Sequence, residues 1–193
     1  MIGILLAAGF SRRFGPTNKL LTELPDGTSI ALASAKNLIE VLPISIAVVR
    51  PDNLALAHLL QSAGFKVVFC AEQDTQMADS LSAAIKFSAN FSEAEGGFVI
   101  ALADMPYISP HTTATIANKL DEGATIVVPT YQGKRGHPVG FSAKFRGELE
   151  KLHGDEGARS ILKRYSASVT SVALDDAGIL VDIDTPEDLQ SKS

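Results

Sequence analysis

Three groups of residues in this chain are of the types that handle phosphate. The first is Gly9-Phe10-Ser11-Arg12-Arg13-Phe14-Gly15, with Lys19 close behind. Glycine and serine let backbone N–H groups approach phosphate oxygens, and Arg13 and Lys19 can neutralise them, the arginine through paired hydrogen bonds and the lysine as a compact charge. The second is Asp104, which follows the apolar run 98–103 and precedes Met105-Pro106. A carboxylate at such a strand end must be solvated, paired or bound to a metal, and magnesium takes one or two carboxylates together with substrate phosphates. The third is Asp182-Ile183-Asp184-Thr185-Pro186-Glu187-Asp188. Its first two aspartates stand two apart on an expected strand and so share a face. Glu187 and Asp188 fall in the first turn of a helix expected to open at Pro186 with Thr185 as its cap, where the helix dipole accounts for them.

The basic loop is not a Walker loop, because no Gly-Lys-Ser/Thr follows, and it lacks the dinucleotide-binding fingerprint. On residue types alone it also fits a solvent-facing turn, and Asp104 fits a turn aspartate ahead of a proline. A further run, Lys134-Arg135-Gly136-His137-Pro138-Val139, holds the histidine with the most informative setting. A lone histidine is more often structural than catalytic. His58, His111 and His153 have no such setting and read as surface residues.

The elements that must place these groups follow from periodicity. Runs at 2–8, 44–49, 66–70, 98–102 and 125–129 are short, β-branched or aromatic, and nearly continuous in apolarity, as strands covered on both faces require. Amphipathic stretches at 29–41, 53–63, 78–89 and 110–120 read as helices between them. Strand and helix in alternation predict an α/β fold: a three-layer α/β/α sandwich, Rossmann-like, with a mostly parallel sheet. Ligands of such sheets sit beyond the carboxyl ends of the strands, where the glycine loop and Asp104 both lie. After residue 129 the rhythm changes. Residues 130–141 read as a loop or hairpin over the sheet, then come helices near 143–152 and 155–165 and strands at 168–174 and 180–183. With no repeat or linker, residues 1–193 are read as one domain.

Bulk properties limit the partners. The 193 residues are 46% hydrophobic and 20% charged, with net charge -5 and a pI near 5.3. That balance suits a globular protein and gives nucleic acid no basic face to bind. The single cysteine, Cys70, reads as a small buried side chain. No run is long enough for a membrane helix, and the N-terminal run has no basic flank, so a cytoplasmic protein is expected.

Leu6-Ala7-Ala8-Gly9-x-Ser11-x-Arg13-x-Gly15, followed by Lys19-Leu20-Leu21, resembles the signature loop of the nucleotidylyltransferases with a GT-A-like, Rossmann-type fold. Within them it is most similar to the molybdenum cofactor cytidylyltransferases. Asp104-Met105-Pro106, Gly136-His137-Pro138, Gly154-Asp155-Glu156-Gly157-Ala158-Arg159 and Asp182-Ile183-Asp184-Thr185-Pro186-Glu187-Asp188-Leu189 extend the likeness over nearly the whole chain. The resemblance implies that Leu6, Ala7, Ala8, Gly9, Ser11, Arg13, Lys19, Ser80 and Asp104 bind the nucleotide. It implies that Arg13, Lys19 and Asp104 act in catalysis and that Asp104 and Asp184 hold Mg2+, with Asp182 a neighbour. His137 and Arg159 would meet the anionic acceptor. The family's Gly-Met-Ser-x-Ser-Leu turn survives as Met77, Ser80 and Leu81, but with Gln76 and Ala78 at the other two positions.

The implied reaction is transfer of CMP from CTP to the phosphate of a molybdopterin-type cofactor, with release of pyrophosphate. The nucleophile is already anionic, which accounts for the lack of a Ser-His-Asp or Cys-His pattern. The resemblance associates Ala7-Ala8-Gly9 with a pyrimidine, whereas the guanylyltransferase relatives tend to Ala-Gly-Gly. The implied partners are these small molecules and, transiently, a molybdoenzyme or its chaperone. The same residues also suit GMP transfer to the same cofactor, cytidylyl or uridylyl transfer to a sugar or polyol phosphate, and a non-catalytic nucleotide- or cofactor-binding protein. A sugar-nucleotide glycosyltransferase would call for an Asp-x-Asp after a mid-chain strand, which Ala103-Asp104-Met105 does not supply.

Overall fold

The computed structural model describes residues 1–9, 14, 18–71, 76–154 and 157–189. Its centre is a sheet seeded by β1 (Ile2–Ala7), whose six residues are all buried. Side chains of a strand alternate between faces, so a run without polar members needs cover on both. That cover exists. Leu5 and Ala7 join one core with Ile30, Leu38, Leu56, Leu60, Ile116 and Leu120, whereas Ile2, Ile4 and Leu6 join another with Leu81, Ile85, Phe145, Leu149 and Ile161.

The first core is roofed by α1 (Ile30–Ile39), α2 (Leu54–Ser62) and α4 (Pro110–Asp121), the second by α3 (Met77–Phe87), α5 (Arg146–Leu149) and α6 (Arg159–Arg164). This is the three-layer α/β/α arrangement expected. Strands β1, β2 (Ser45–Val49), β3 (Lys66–Phe69) and β4 (Phe98–Leu102) pair in parallel in the order β3-β2-β1-β4. β5 (Ile126–Tyr131) pairs in parallel with β8 (Val169–Ala173). The chain reversal after β5 returns antiparallel to it twice, as β6 (Lys134–Arg135) and β7 (Val139–Phe141).

Two expectations need correction here. Residues 139–141 do not lie over the sheet: β7 is inside it, antiparallel to both β4 and β5. Gly140 makes this possible, since a Cβ there would come within 2.7 Å of Ile116 and 2.9 Å of Leu120 on α4. Residues 180–183 are not a strand. Ala177–Leu180 form a 3-10 turn and the chain then runs extended without joining a ladder. The turn at Pro186–Leu189 is likewise 3-10.

Cys70 is buried at 2% exposure, while His58, His111 and His153 are exposed. Among the described residues no helix is long and apolar enough to cross a membrane.

Candidate active site

Because β1 and β4 run parallel in register, their carboxyl ends reach one rim together. The Ala103 N–H donates to the Leu6 carbonyl at 3.1 Å, which puts Asp104 beside the exit of β1. Three further contacts fix the segment around Asp104. On α1, Ser34 Oγ lies 2.9 Å from the Ala103 carbonyl, and Asn37 Nδ2 donates to the carbonyls of Pro106 and Ile108 at 2.9 and 2.8 Å. The Ile183 N–H donates to the Asp104 carbonyl at 2.9 Å and draws the C-terminal segment onto the same rim.

Asp184 is held by its own neighbour. One oxygen of Asp188 accepts from the N–H of Asp184 at 2.9 Å, from the N–H of Thr185 at 2.7 Å and from the Thr185 hydroxyl at 3.1 Å. These bonds, those from the Asp184 and Thr185 amides first, hold the Asp188 carboxyl below the usual carboxylate range. The brace at the start of this turn is therefore Asp188 reaching back, with the Thr185 hydroxyl donating to it.

Lys19 enters from the 3-10 turn Lys19–Leu21, which follows Asn18, itself bonded to Asn53 at the start of α2. Its ammonium lies 2.9 Å from an oxygen of Asp104 and 3.3 Å from an oxygen of Asp184, with its side chain 10% exposed. Residues at the start, middle and end of the chain thus meet at one point.

Leu6, Ala7, Ala8, Gly9, Lys19, Ser80 and Asp104, seven of the residues expected to bind nucleotide, line one cleft with Gln76, Met77 and Asp184. Ser11 and Arg13 lie outside the described residues. Ala78 is fully buried, so this departure from the family's turn points into the core, whereas Gln76 faces the cleft. A second and larger cavity, about 780 Å3, adjoins the first and shares Leu6, Met77 and Leu102 as a common wall. His137, Arg159, Arg135, Lys163 and Asp182 line it. Asp182 therefore opens onto this neighbouring cavity and Asp184 onto the first cleft.

His137 is carried on the arm between β6 and β7. Its N–H donates to the Ile179 carbonyl at 3.1 Å, and the His137–Pro138 peptide is cis. Gly136 packs so closely on the C-terminal strap, residues 177–183, that a Cβ would stand 2.2 Å from the Ile179 oxygen. Burial pushes the imidazole below its ordinary range; Asp104 opposes that shift and Arg159 reinforces it. The ring is neutral at neutral pH. Among the described residues its Nδ1 is a buried polar atom without a hydrogen-bond partner, and such atoms call for a ligand or water.

The donor set at Lys19 can be tested against a divalent ion. Two carboxylates converge on one cationic centre from fixed backbones, and both are hard oxygen donors of the kind magnesium and manganese take. No group of three or more His, Cys, Asp or Glu side chains able to hold a metal occurs among the described residues. Water and phosphate oxygens would supply the remaining ligands of such an ion. The residues fit.

Residues 3–169 match the sequence family described as the MobA-like NTP transferase domain. The chain belongs to this family. The MobA-like domain is 31% identical to the purine catabolism protein PucB of Bacillus subtilis (strain 168), covering 97% of this chain and 93% of that one. Among solved structures it is similar to Rv0371c of Mycobacterium tuberculosis H37Rv, with TM-score 0.84 and 30% identity over 98% of this chain and 96% of that one. A manganese complex of Rv0371C from the same organism matches with TM-score 0.79 and 28% identity, covering 98% and 95%. These likenesses make the MobA-like domain a nucleotidyltransferase domain with a GT-A-like fold.

The sequence did not single out Ser34 and Asn37, which pin the Asp104 segment, and assigned Asp188 only to a helix dipole. A signal for Asp188 was present, because Thr-x-x-acid is half of a capping box. Asp176 was also missed. It accepts from the Ser109 amide, the Thr112 hydroxyl and the Gly178 amide, and so ties the C-terminal strap to the start of α4.

Proposed function

We propose that this domain transfers CMP from CTP to the phosphate of a molybdopterin-type cofactor, with Mg2+ held by Asp104 and Asp184. The observation that carries this reading is the meeting of Lys19, Asp104 and Asp184 at the mouth of a cleft walled by Leu6, Ala7, Ala8 and Ser80. The adjoining cavity supplies room for a second substrate, within the usual range for small-molecule pockets.

In this reaction a phosphate oxygen of the acceptor attacks the α-phosphorus of CTP. The bond from that phosphorus to the bridging oxygen breaks, and pyrophosphate leaves with the electron pair. The attacking oxygen is already anionic, so no side chain has to remove a proton. Bound Mg2+ would neutralise triphosphate charge and stabilise the charge that develops on the reacting phosphoryl group. Positive charge from Lys19 and Arg13 would offset the negative charge that builds on the leaving pyrophosphate. Ala7 and Ala8 leave space for the base against the end of β1. In the second cavity Arg159 gives the acceptor an anion partner, and the neutral imidazole of His137 can donate or accept a hydrogen bond without adding charge.

The test is pyrophosphate release from each of the four NTPs, with and without the molybdenum cofactor, in wild type and in Asp104→Ala. Release with CTP that depends on the cofactor, and its loss in Asp104→Ala with melting nearly unchanged, is expected. Equal release from all four nucleotides, or none from CTP, would overturn the cytidylyl reading. Unchanged activity in Asp104→Ala would overturn the metal role.

A further inference from the structure

We infer that Lys19 is the metal's stand-in in the nucleotide-free protein, so that a divalent ion takes its place between Asp104 and Asp184 only as the triphosphate draws the ammonium away. The inference rests on the proposed metal role of the two aspartates and adds an order of binding to it. Two carboxylates facing one another need a counter-charge. The ammonium provides it, reaching Asp104 at 2.9 Å and Asp184 at 3.3 Å from a side chain only 10% exposed. It contacts one oxygen of each carboxylate, the arrangement a bridging ion would need.

What can move follows from what is tied. The Asp104 segment is held by Ser34, Asn37 and the Ile183 amide, and the backbone at Asp184 by Asp188. Lys19 instead carries its charge on a flexible four-carbon stem. An ion arriving alone would meet a cation already between its ligands and would have to expel it without bringing an anion to receive the ammonium. An ion arriving on a triphosphate brings phosphate oxygens that can receive Lys19. The lysine thereby passes from the carboxylates to the nucleotide, and metal and nucleotide enter together.

The experiment is a Mn2+ titration of the full chain, followed by electron paramagnetic resonance and by thermal melting, with and without a CTP analogue bearing a non-cleavable α,β-methylene bridge. Lys19→Met keeps the stem and removes the charge. The nucleotide-free wild type is expected to bind Mn2+ weakly and to show no rise in melting temperature with it. Nucleotide-free Lys19→Met is expected to bind at least about tenfold tighter, a gain consistent with removing one competing partly buried charge. It should melt lower in chelator, recover with Mn2+, and lose the gain when Asp104→Asn is added.

Two results would overturn the inference. One is an affinity in Lys19→Met no greater than in wild type. The other, which needs no variant that must fold, is a Mn2+-induced rise in the melting temperature of the nucleotide-free wild type that Asp104→Asn abolishes. In both cases the metal reading survives if Mn2+ binding with the analogue still depends on Asp104. If Asp104→Asn leaves Mn2+ binding unchanged with the analogue as well as without it, the metal reading itself fails and takes the inference with it.

Discussion

Asn37 lies outside both clefts, yet the position of Asp104 depends on it. Its side-chain amide has two hydrogens and uses both, on the carbonyls of Pro106 at 2.9 Å and Ile108 at 2.8 Å. In Asn37→Ala both carbonyls lose their donor. Each such bond contributes about 0.5–1.5 kcal/mol net, so the pair is worth about 1–3 kcal/mol. For a chain of this length that is roughly 2–4 °C per kcal/mol in melting temperature, or about 2–12 °C in all. Asn37→Asp should be worse than Asn37→Ala, because a carboxylate cannot donate and would face two carbonyl oxygens.

Catalysis should suffer beyond stability. Loosening residues 105–108 lets the Asp104 carboxylate drift from its place 2.9 Å from the Lys19 ammonium. Misplacing a catalytic group by about 1 Å can cost about a hundredfold, so kcat/KM for nucleotidyl transfer is expected to drop about tenfold or more at a temperature where the variant is fully folded. Urea unfolding gives the first quantity and pyrophosphate release the second. If Asn37→Ala unfolds within about 0.5 kcal/mol of wild type and Asn37→Asp is no worse, the amide pins nothing. A clear loss of stability with unchanged kcat/KM would instead cut the link between the pinned segment and Asp104.

Two other perturbations test the site from different sides. Asp188→Ala removes the acceptor of three bonds at Asp184 and Thr185; if Asp184 holds the metal as proposed, the divalent-ion concentration for half-maximal activity should rise about 10–100-fold, with Asp188→Asn milder because its amide oxygen still accepts. An unchanged metal dependence in Asp188→Ala would show that Asp184 keeps its place without it. At His137 the folded-state pKa is lowered from 6.5 by burial, so the folded protein favours the neutral ring while the unfolded chain takes up a proton near 6.5. The stability this represents is complete above pH 6.5 and is lost as the pH falls from 6.5 towards the lowered value. Urea midpoints measured between pH 7.5 and 5 should therefore fall more steeply for wild type than for His137→Gln, and parallel curves would refute the burial effect.

The parts of this fold that were legible in the sequence are those whose side chains are sorted by burial. β1 reads at once because all six residues are buried between two helical layers, and α1 to α4 read because one face of each is not. Asp104 stood out because a carboxylate ends an otherwise apolar strand. β7 was not legible. It has three residues, follows Gly136, His137 and Pro138, and owes its place to a glycine that lets α4 lie against the sheet. Residues 180–183 misled for the opposite reason. Ile179 and Ile183 are fully buried, so the run looks like a strand, but apolar spacing reports burial and not hydrogen bonding, and here the partners are single carbonyls and amides outside any ladder. The Asn37 contacts span 69 and 71 positions from side chain to backbone, and bonds of that kind leave no periodic trace.

The misread segment explains how two clefts can be held in one geometry. The Ile179 carbonyl accepts from the amide of His137, and four residues on the amide of Ile183 donates to the carbonyl of Asp104. Asp176 anchors the near end of this strap to α4 and Asp188 braces its far end. Gly178 lets it pass where a Cβ would stand 2.0 Å from the Tyr107 oxygen. One short segment, a 3-10 turn and the run that follows it, therefore fixes the proposed acceptor histidine and both proposed metal carboxylates relative to each other. A reaction between two bound anions, with no general base in its first step, depends on holding the attacking oxygen in line with the α-phosphorus, which is a matter of position more than of reactivity. A strap bonded to both sites meets that need better than a regular sheet strand would. A ladder commits its amides and carbonyls to neighbouring strands, whereas the strap keeps them for His137 on one side and Asp104 on the other.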